Sequence, residues 1–179
     1  MIILLGMPGS GKTTQTEALG EFLNCPWFSM GEIIRQKATG QDREQMLAGK
    51  IIADEPTLKL LWDELKPLDL VNKECVVEGN PRSIPQAEWW LDKIKKKQVN
   101  FTGLVHLVMD VEDAENRLAQ RRRVDDEDIR VLKQRFAEYH RTITPTLEFL
   151  KKHGIKARKV DAAQDIEKVE ADIKKVLGI

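Results

Sequence analysis

Short apolar runs alternate along this chain with longer stretches in which apolar residues return every three or four positions. The runs that read as strands are Ile2–Leu5, Trp27–Ser29, Glu74–Val77, Gly103–Met109 and Lys156–Val160. Most are rich in valine, leucine or isoleucine, as strands covered on both faces should be. The stretches between them repeat at helical period. Near the end of the chain, Ile166, Val169, Ile173 and Val176 fall on one stripe. A longer helix is expected from about Asp126 to Lys152, with Ile129, Leu132, Phe136, Ile143, Leu147 and Leu150 on its apolar face and a kink at Pro145. Strand and helix in alternation predict an α/β fold, a five-stranded parallel sheet with helices on both faces.

One region breaks this rhythm. From Gly31 to about Lys66 there is no strand, only helical segments punctuated by Gly40, Gly49 and Pro56. A helical flap inserted between the second and third strands would produce the pattern, and so would a purely structural pair of connecting helices.

The chain has 179 residues, enough for one sizeable core and too few for two ordinary domains. Its 29 basic and 29 acidic residues cancel, so no global field favours nucleic acid or an acidic membrane surface. Cys25 and Cys75 stand far apart in the chain and form no metal or redox pattern. The first apolar run is too short for a signal peptide, and no segment approaches membrane-spanning length. A cytoplasmic protein is expected.

Directly after the first run comes Gly6-Met7-Pro8-Gly9-Ser10-Gly11-Lys12-Thr13, which satisfies G-x-x-x-x-G-K-[ST]. The context carries more weight than the pattern. A buried strand feeding a glycine-rich turn, and a helix from Thr13 to Leu23 leaving it, is the geometry that turns successive backbone N–H groups onto one anion. The helix N-terminus adds its dipole. Lys12 would reach the β/γ-phosphates, and the Thr13 hydroxyl would ligate Mg²⁺. The loop predicts nucleoside triphosphate binding on a three-layer P-loop sandwich.

Four further segments bear on the acceptor. Ser29-Met30-Gly31-Glu32-Ile33-Ile34-Arg35 sets an arginine one turn into the first flap helix. Cys75 to Gln86 ends a buried strand on Glu78, turns at Gly79-Asn80-Pro81, and presents Arg82 and Gln86 at the next helix. Arg117, Arg121, Arg122 and Arg123 cluster across a helix end, and Arg135 follows. These segments and the loop resemble the adenylate kinases and, more broadly, the nucleoside monophosphate kinases. The most specific likeness is Val76–Gln86, similar to the family's D-G-[FYI]-P-R followed by N or Q. Ala48-Gly49-Lys50, Arg123-Val124-Asp125-Asp126 and Lys159-Val160-Asp161-Ala162 also match.

The resemblance implies a site, and the chemistry agrees with it. Phosphoryl transfer between two polyanions needs charge neutralisation and alignment rather than a strong base, and guanidinium forks suit phosphate oxygens. Lys12, Arg82, Arg121, Arg123 and Arg135 would carry the transfer. ATP would lie on Gly9, Ser10, Gly11, Lys12, Thr13, Thr14, Arg117 and Gln164. The monophosphate would lie on Met30, Gly31, Arg35, Lys50, Ile52, Gly79, Arg82 and Gln86. Mg²⁺ would be held by Thr13, with Glu78 in its outer shell. One kinase domain over 1–179 is implied, with an acceptor-binding insertion at 30–60 and a vestigial lid at 121–126. The partners implied are small nucleotides only, with the protein a monomer.

The chain also departs from the family. Glu78 stands where aspartate is usual, Asn80 where an aromatic is usual, Met30 for threonine and Glu32 for aspartate. Gln86 argues for an adenine acceptor, hence ATP + AMP ⇌ 2 ADP. The alternatives are a P-loop kinase for another small acceptor and a nucleotide-binding regulatory or assembly ATPase on the same fold. Bland readings hold elsewhere. Arg122 and Lys93–Lys97 read as solvated helix ends, Trp89 and Trp90 as packing, and His106, His140 and His153 lack ligand spacing.

Overall fold

The structure is a computed structural model that describes residues 1–121 and 128–179, Arg121 by its backbone alone. In chain order the elements are β1 (Ile2–Gly6), α1 (Lys12–Leu23), β2 (Trp27–Ser29), α2 (Met30–Lys37), α3 (Gly40–Leu47), α4 (Asp54–Leu65) and β3 (Val76–Glu78). They continue with α5 (Ile84–Lys95), β4 (Gly103–Val108), α6 (Val111–Arg121), α7 (Ile129–Lys152), β5 (Arg158–Asp161) and α8 (Ile166–Leu177). The five strands form one sheet in the order β2-β3-β1-β4-β5, and every pairing is parallel. Helices therefore cover both faces, as the apolar runs predict.

Alternation along β1 divides the core. Ile3 and Leu5 face one side, joining Val77, Leu104, Trp90, Leu61 and Ile143 beneath α2, α4, α5 and α7. Ile2 and Leu4 face the other, joining Val76, Val105, Leu107 and Val160 beneath α1 and α8. Ile166 escapes this second core and stays exposed, whereas Val169 and Ile173 of the same stripe are buried. A third cluster of Met7, Ala114, Leu118 and Phe136 ties the loop after β1 to α6 and α7.

Two strands start and end later than the apolar pattern suggests. β3 extends to Glu78 because parallel pairing carries it there, with Leu4 and Ser29 as its register partners. A strand that ends on a carboxylate satisfied by side-chain hydroxyls is invisible to a search for apolar runs. β5 likewise begins at Arg158, where it pairs with Val105 of β4. The region from Met30 to Leu65 holds three helices and no strand. α7 runs on through Pro145, and the Thr142 and Thr146 hydroxyls bond the carbonyls of Glu138 and Thr142 at 2.9 and 2.7 Å.

Cys25 and Cys75 are both free thiols. They are distant in sequence, but parallel pairing of β2 with β3 brings Cys25 within electrostatic reach of Cys75, which is buried and has its thiol pushed up to about 12 by desolvation. Among the described residues no helix is long and apolar enough to cross a membrane.

Candidate active site

Parallel strands that all end on one side leave a crevice at their carboxyl edge, and here β1 is the central strand of that edge. A cleft of about 820 Å³ opens there, within the size range of ligand pockets. The loop after β1 forms its floor. Gly9 and Gly11 take positive φ of 83° and 78°, and Gly11 is the N-cap of α1. Gly9 also tolerates no side chain, since a Cβ would come within 2.7 Å of the Ala114 carbonyl in α6. Its backbone is thereby pressed onto α6.

Lys12 bonds the Met7 carbonyl at 2.7 Å, folding back across the loop. The Thr13 hydroxyl donates to Glu78 Oε1 at 3.1 Å, and the Ser29 hydroxyl donates to the same oxygen. Ser29 is the N-cap of α2, accepting from the Glu32 backbone N–H. One buried carboxylate thus joins the phosphate loop to the first flap helix. A hydroxyl and a carboxylate oxygen beside an anion cradle are hard donors of the kind Mg²⁺ takes in company with substrate phosphates. Among the described residues no cluster of three or more His, Cys, Asp or Glu could hold a metal without such help.

Across the cleft stand the flap and the residues after β3. Met30, Gly31, Arg35, Lys50, Ile51 and Ile52 line it, with Gly79, Arg82, Gln86, Arg135 and Tyr139. Protein surrounds the Arg82 guanidinium, yet the residue remains exposed because the cleft it lines is open to water. Desolvation lowers its pKa, Glu78 opposes that fall, and Arg135 and Arg35 add to it. Three guanidiniums therefore share one field with the Glu78 carboxylate. Arg35 is held by Glu32, and Arg82 Nε donates to the Gly79 carbonyl at 2.7 Å. Gly49 has φ of 72° and touches α7, where a Cβ would meet the Val131 carbonyl at 2.7 Å and Arg135 Cγ at 3.2 Å. The flap is seated on the helix that bears Arg135.

On the loop's other flank Arg117 Nη2 donates to the Gln164 carbonyl at 3.2 Å, and its Nη1 lies over Gly11. Ala162, Gln164 and Asp165 line the cleft beside it. Behind the loop, His106 of β4 meets the Tyr139 hydroxyl at 2.6 Å. Desolvation, then the charges of Lys159 and Lys12, lower the His106 pKa to about 4.

Every described residue named from the sequence lies at this cleft: Gly9, Ser10, Gly11, Lys12, Thr13, Thr14, Arg117 and Gln164 on the loop side, and Met30, Gly31, Arg35, Lys50, Ile52, Glu78, Gly79, Arg82, Gln86 and Arg135 facing them. The Arg121 side chain, Arg123 and the lid expected at 121–126 lie outside the described residues. Tyr139 and Thr57 also line the cleft and were not anticipated. Tyr139 follows Arg135 by one helical turn, a spacing that could have flagged it. Gln86 is buried, and both ends of its amide bond protein groups, more than its reading as a base contact supposes.

A family model described as adenylate kinase matches residues 4–155. The adenylate kinase of Ruminiclostridium cellulolyticum is 32% identical to this chain over 217 aligned residues, covering 99% of each. That of Thermobifida fusca is 30% identical over 177 residues, covering 94% of this chain and 93% of the relative. That of Finegoldia magna is 35% identical over 127 residues, covering 68% of this chain and 59% of the relative.

Proposed function

This chain belongs to the adenylate kinase family, and from that premise we propose that it transfers the γ-phosphoryl group of ATP to AMP, with Mg²⁺ accompanying the triphosphate. It is a phosphotransferase and a nucleoside monophosphate kinase by family. The observation that carries the finer reading is the meeting of two polyanion sites in one cleft. The phosphate loop with Lys12 and Thr13 forms one wall, and Arg35, Arg82 and Arg135 stand on the other. AMP as acceptor is supported by the relatives named adenylate kinase.

The roles follow from charge and position. Lys12 and the loop N–H groups would hold the β- and γ-phosphates. Arg35 and Arg82 would hold the monophosphate, and Arg135, on the helix that seats the flap, would neutralise charge on the transferring group. Arg117 would lie over the nucleotide on the Gln164 side. Thr13 would hold Mg²⁺ with Glu78 in its outer shell, and the ion's chemistry is to neutralise phosphate charge. Glu78 accepts from both Thr13 and Ser29, so it is committed and supports no role as general base for an alcohol acceptor. The phosphate acceptor needs no base. The reading includes a flap insertion at 30–60, a short lid at 121–126 and a monomer.

A coupled assay across AMP, CMP, UMP and dTMP, beside ATP alone, tests the proposal. AMP should be the preferred acceptor of the four. Preference for a pyrimidine nucleotide, or no transfer to any of them, would overturn it.

A further inference from the structure

One carboxylate in the cleft is tied to both walls at once. Glu78 and Ser29 close the ends of β3 and β2 in register with each other, and both are almost fully buried. Glu78 Oε1 accepts from the Ser29 hydroxyl and, at 3.1 Å, from the Thr13 hydroxyl of the phosphate loop. The Ser29 oxygen in turn accepts the Glu32 backbone N–H at 3.3 Å, which caps α2. Glu32 then holds Arg35 with both carboxylate oxygens, Oε1 at 3.2 Å from Nη2 and Oε2 at 3.3 Å from Nε. Thr13, Glu78, Ser29, Glu32 and Arg35 form one unbroken chain from the phosphate loop to an arginine of the flap.

Ser29 is the link between the loop side and the flap. A hydroxyl has a single hydrogen, and this one goes to Glu78 while a lone pair serves α2. Hydrogen bonds to a charged acceptor are about twice as strong as neutral ones. Glu78 therefore cannot shift far without drawing Ser29 along or breaking that bond. A divalent cation beside Thr13 attracts the carboxylate toward the loop. The displacement would reach the cap of an eight-residue helix, Met30–Lys37, whose first two turns carry Gly31 and Arg35.

We propose that Ser29 is a positioning residue that couples the two substrate sites: its hydroxyl passes the attraction between Glu78 and a divalent cation at the phosphate loop to the first turn of α2, so that Mg·ATP sets Gly31 and Arg35 for the acceptor. The inference rests on the reading in which Thr13 and Glu78 face Mg²⁺ and the flap takes the monophosphate. It adds to that reading the residue through which occupation of one site is felt at the other.

The test measures binding by calorimetry, without turnover. AMP is titrated into the protein alone and into the protein saturated with Mg²⁺ and the β,γ-imido analogue of ATP, and the ratio of the two Kd values is the coupling factor. Ser29→Ala removes both the hydroxyl and the cap, whereas Ser29→Gly removes the hydroxyl and keeps an accepted capping residue. A lost cap alone weakens AMP equally in both titrations and leaves the factor unchanged. Repulsion between the phosphates of the two nucleotides is common to every protein compared. The wild-type factor should exceed that of both variants by about fivefold or more, and with EDTA in place of Mg²⁺ this difference should vanish. A smaller difference in either folded variant overturns the inference, and so does a difference that persists in EDTA. Both results leave AMP binding and the proposed reaction standing. Failure of the wild type to bind AMP in either titration would instead overturn the proposed reaction and this inference with it.

Discussion

Lys12 sits where a single charge has most to do. Its ammonium folds over the loop to the Met7 carbonyl, in the one place where the glycine turn, the α1 N-terminus and Glu78 converge. Replacing it with alanine removes positive charge from developing phosphate charge while sparing the core clusters, none of which contains it. Lys12→Ala should lower kcat by about 10²–10³ with an unchanged unfolding midpoint. Wild-type turnover in the folded variant would remove Lys12 from the mechanism. His106 makes the second residue-scale case, through stability. Its pKa falls from 6.5 to about 4 on folding, because burial disfavours the imidazolium and Lys159 and Lys12 repel it. The folded protein therefore holds it neutral, while the unfolded chain protonates it below pH 6.5. Stability is complete above that value and declines as pH falls toward 4, by roughly 2–3 kcal/mol. Denaturant midpoints at pH 7.5 and 4.5 should show a loss of that order in wild type beyond the loss in His106→Gln, which cannot titrate. Equal losses would mean that the imidazole is not buried neutral.

At the scale of elements, the flap is controlled where it touches α7. Gly49 has a left-handed backbone and no room for a Cβ against the Val131 carbonyl. Gly49→Ala should push the flap from α7 and move Arg135 Cγ with it, which separates the acceptor site from the loop. The expected result is a KM for AMP raised several-fold, a smaller change in KM for ATP, and about 1 kcal/mol or more of lost stability from strain at positive φ. Equal changes in the two KM values would show that the flap does not serve the acceptor side. The elements themselves were largely legible before any coordinates. β1, α1, β2 and the strand-free flap follow from apolar runs, the loop motif and the spacing of Gly40, Gly49 and Pro56. The starts of β3 and β5 and the end of β5 were not, because pairing and not apolarity sets them, as where Asp161 lies beside Val108. Nor was the approach of Cys25 to Cys75, which depends on β2 taking the sheet edge next to β3. Site residues were legible where a motif names them, from Gly9 to Thr14 and from Glu78 to Gln86. The His106–Tyr139 and Trp90–Asn80 hydrogen bonds were not, since partners 33 and 10 residues apart leave no local pattern.

On the scale of the whole molecule, the question is what excludes water from the γ-phosphate. The flap covers the acceptor side, and α6 with the Ala162–Asp165 turn flanks the loop. Over the triphosphate, a lid would have to come from the connection between α6 and α7. Residues 122–128, seven in sequence, join Arg121 to Ile129, and this is the short lid of the proposed reading. An acceptor phosphate outcompetes water because it is held in line in a dry site. On the proposed reading the in-line hold would come from Arg35, Arg82 and Arg135, and dryness from flap closure driven by the acceptor. Without AMP, then, ATP should be hydrolysed at a measurable rate, and at a larger fraction of the transfer rate than in a relative with a long connection at this place. Adding a non-reactive AMP analogue should suppress that hydrolysis and protect the amides of α2, α3 and α4 from hydrogen exchange. Fast transfer with no detectable hydrolysis in the absence of AMP would mean that the triphosphate is sealed before the acceptor arrives, and that closure does not depend on the flap.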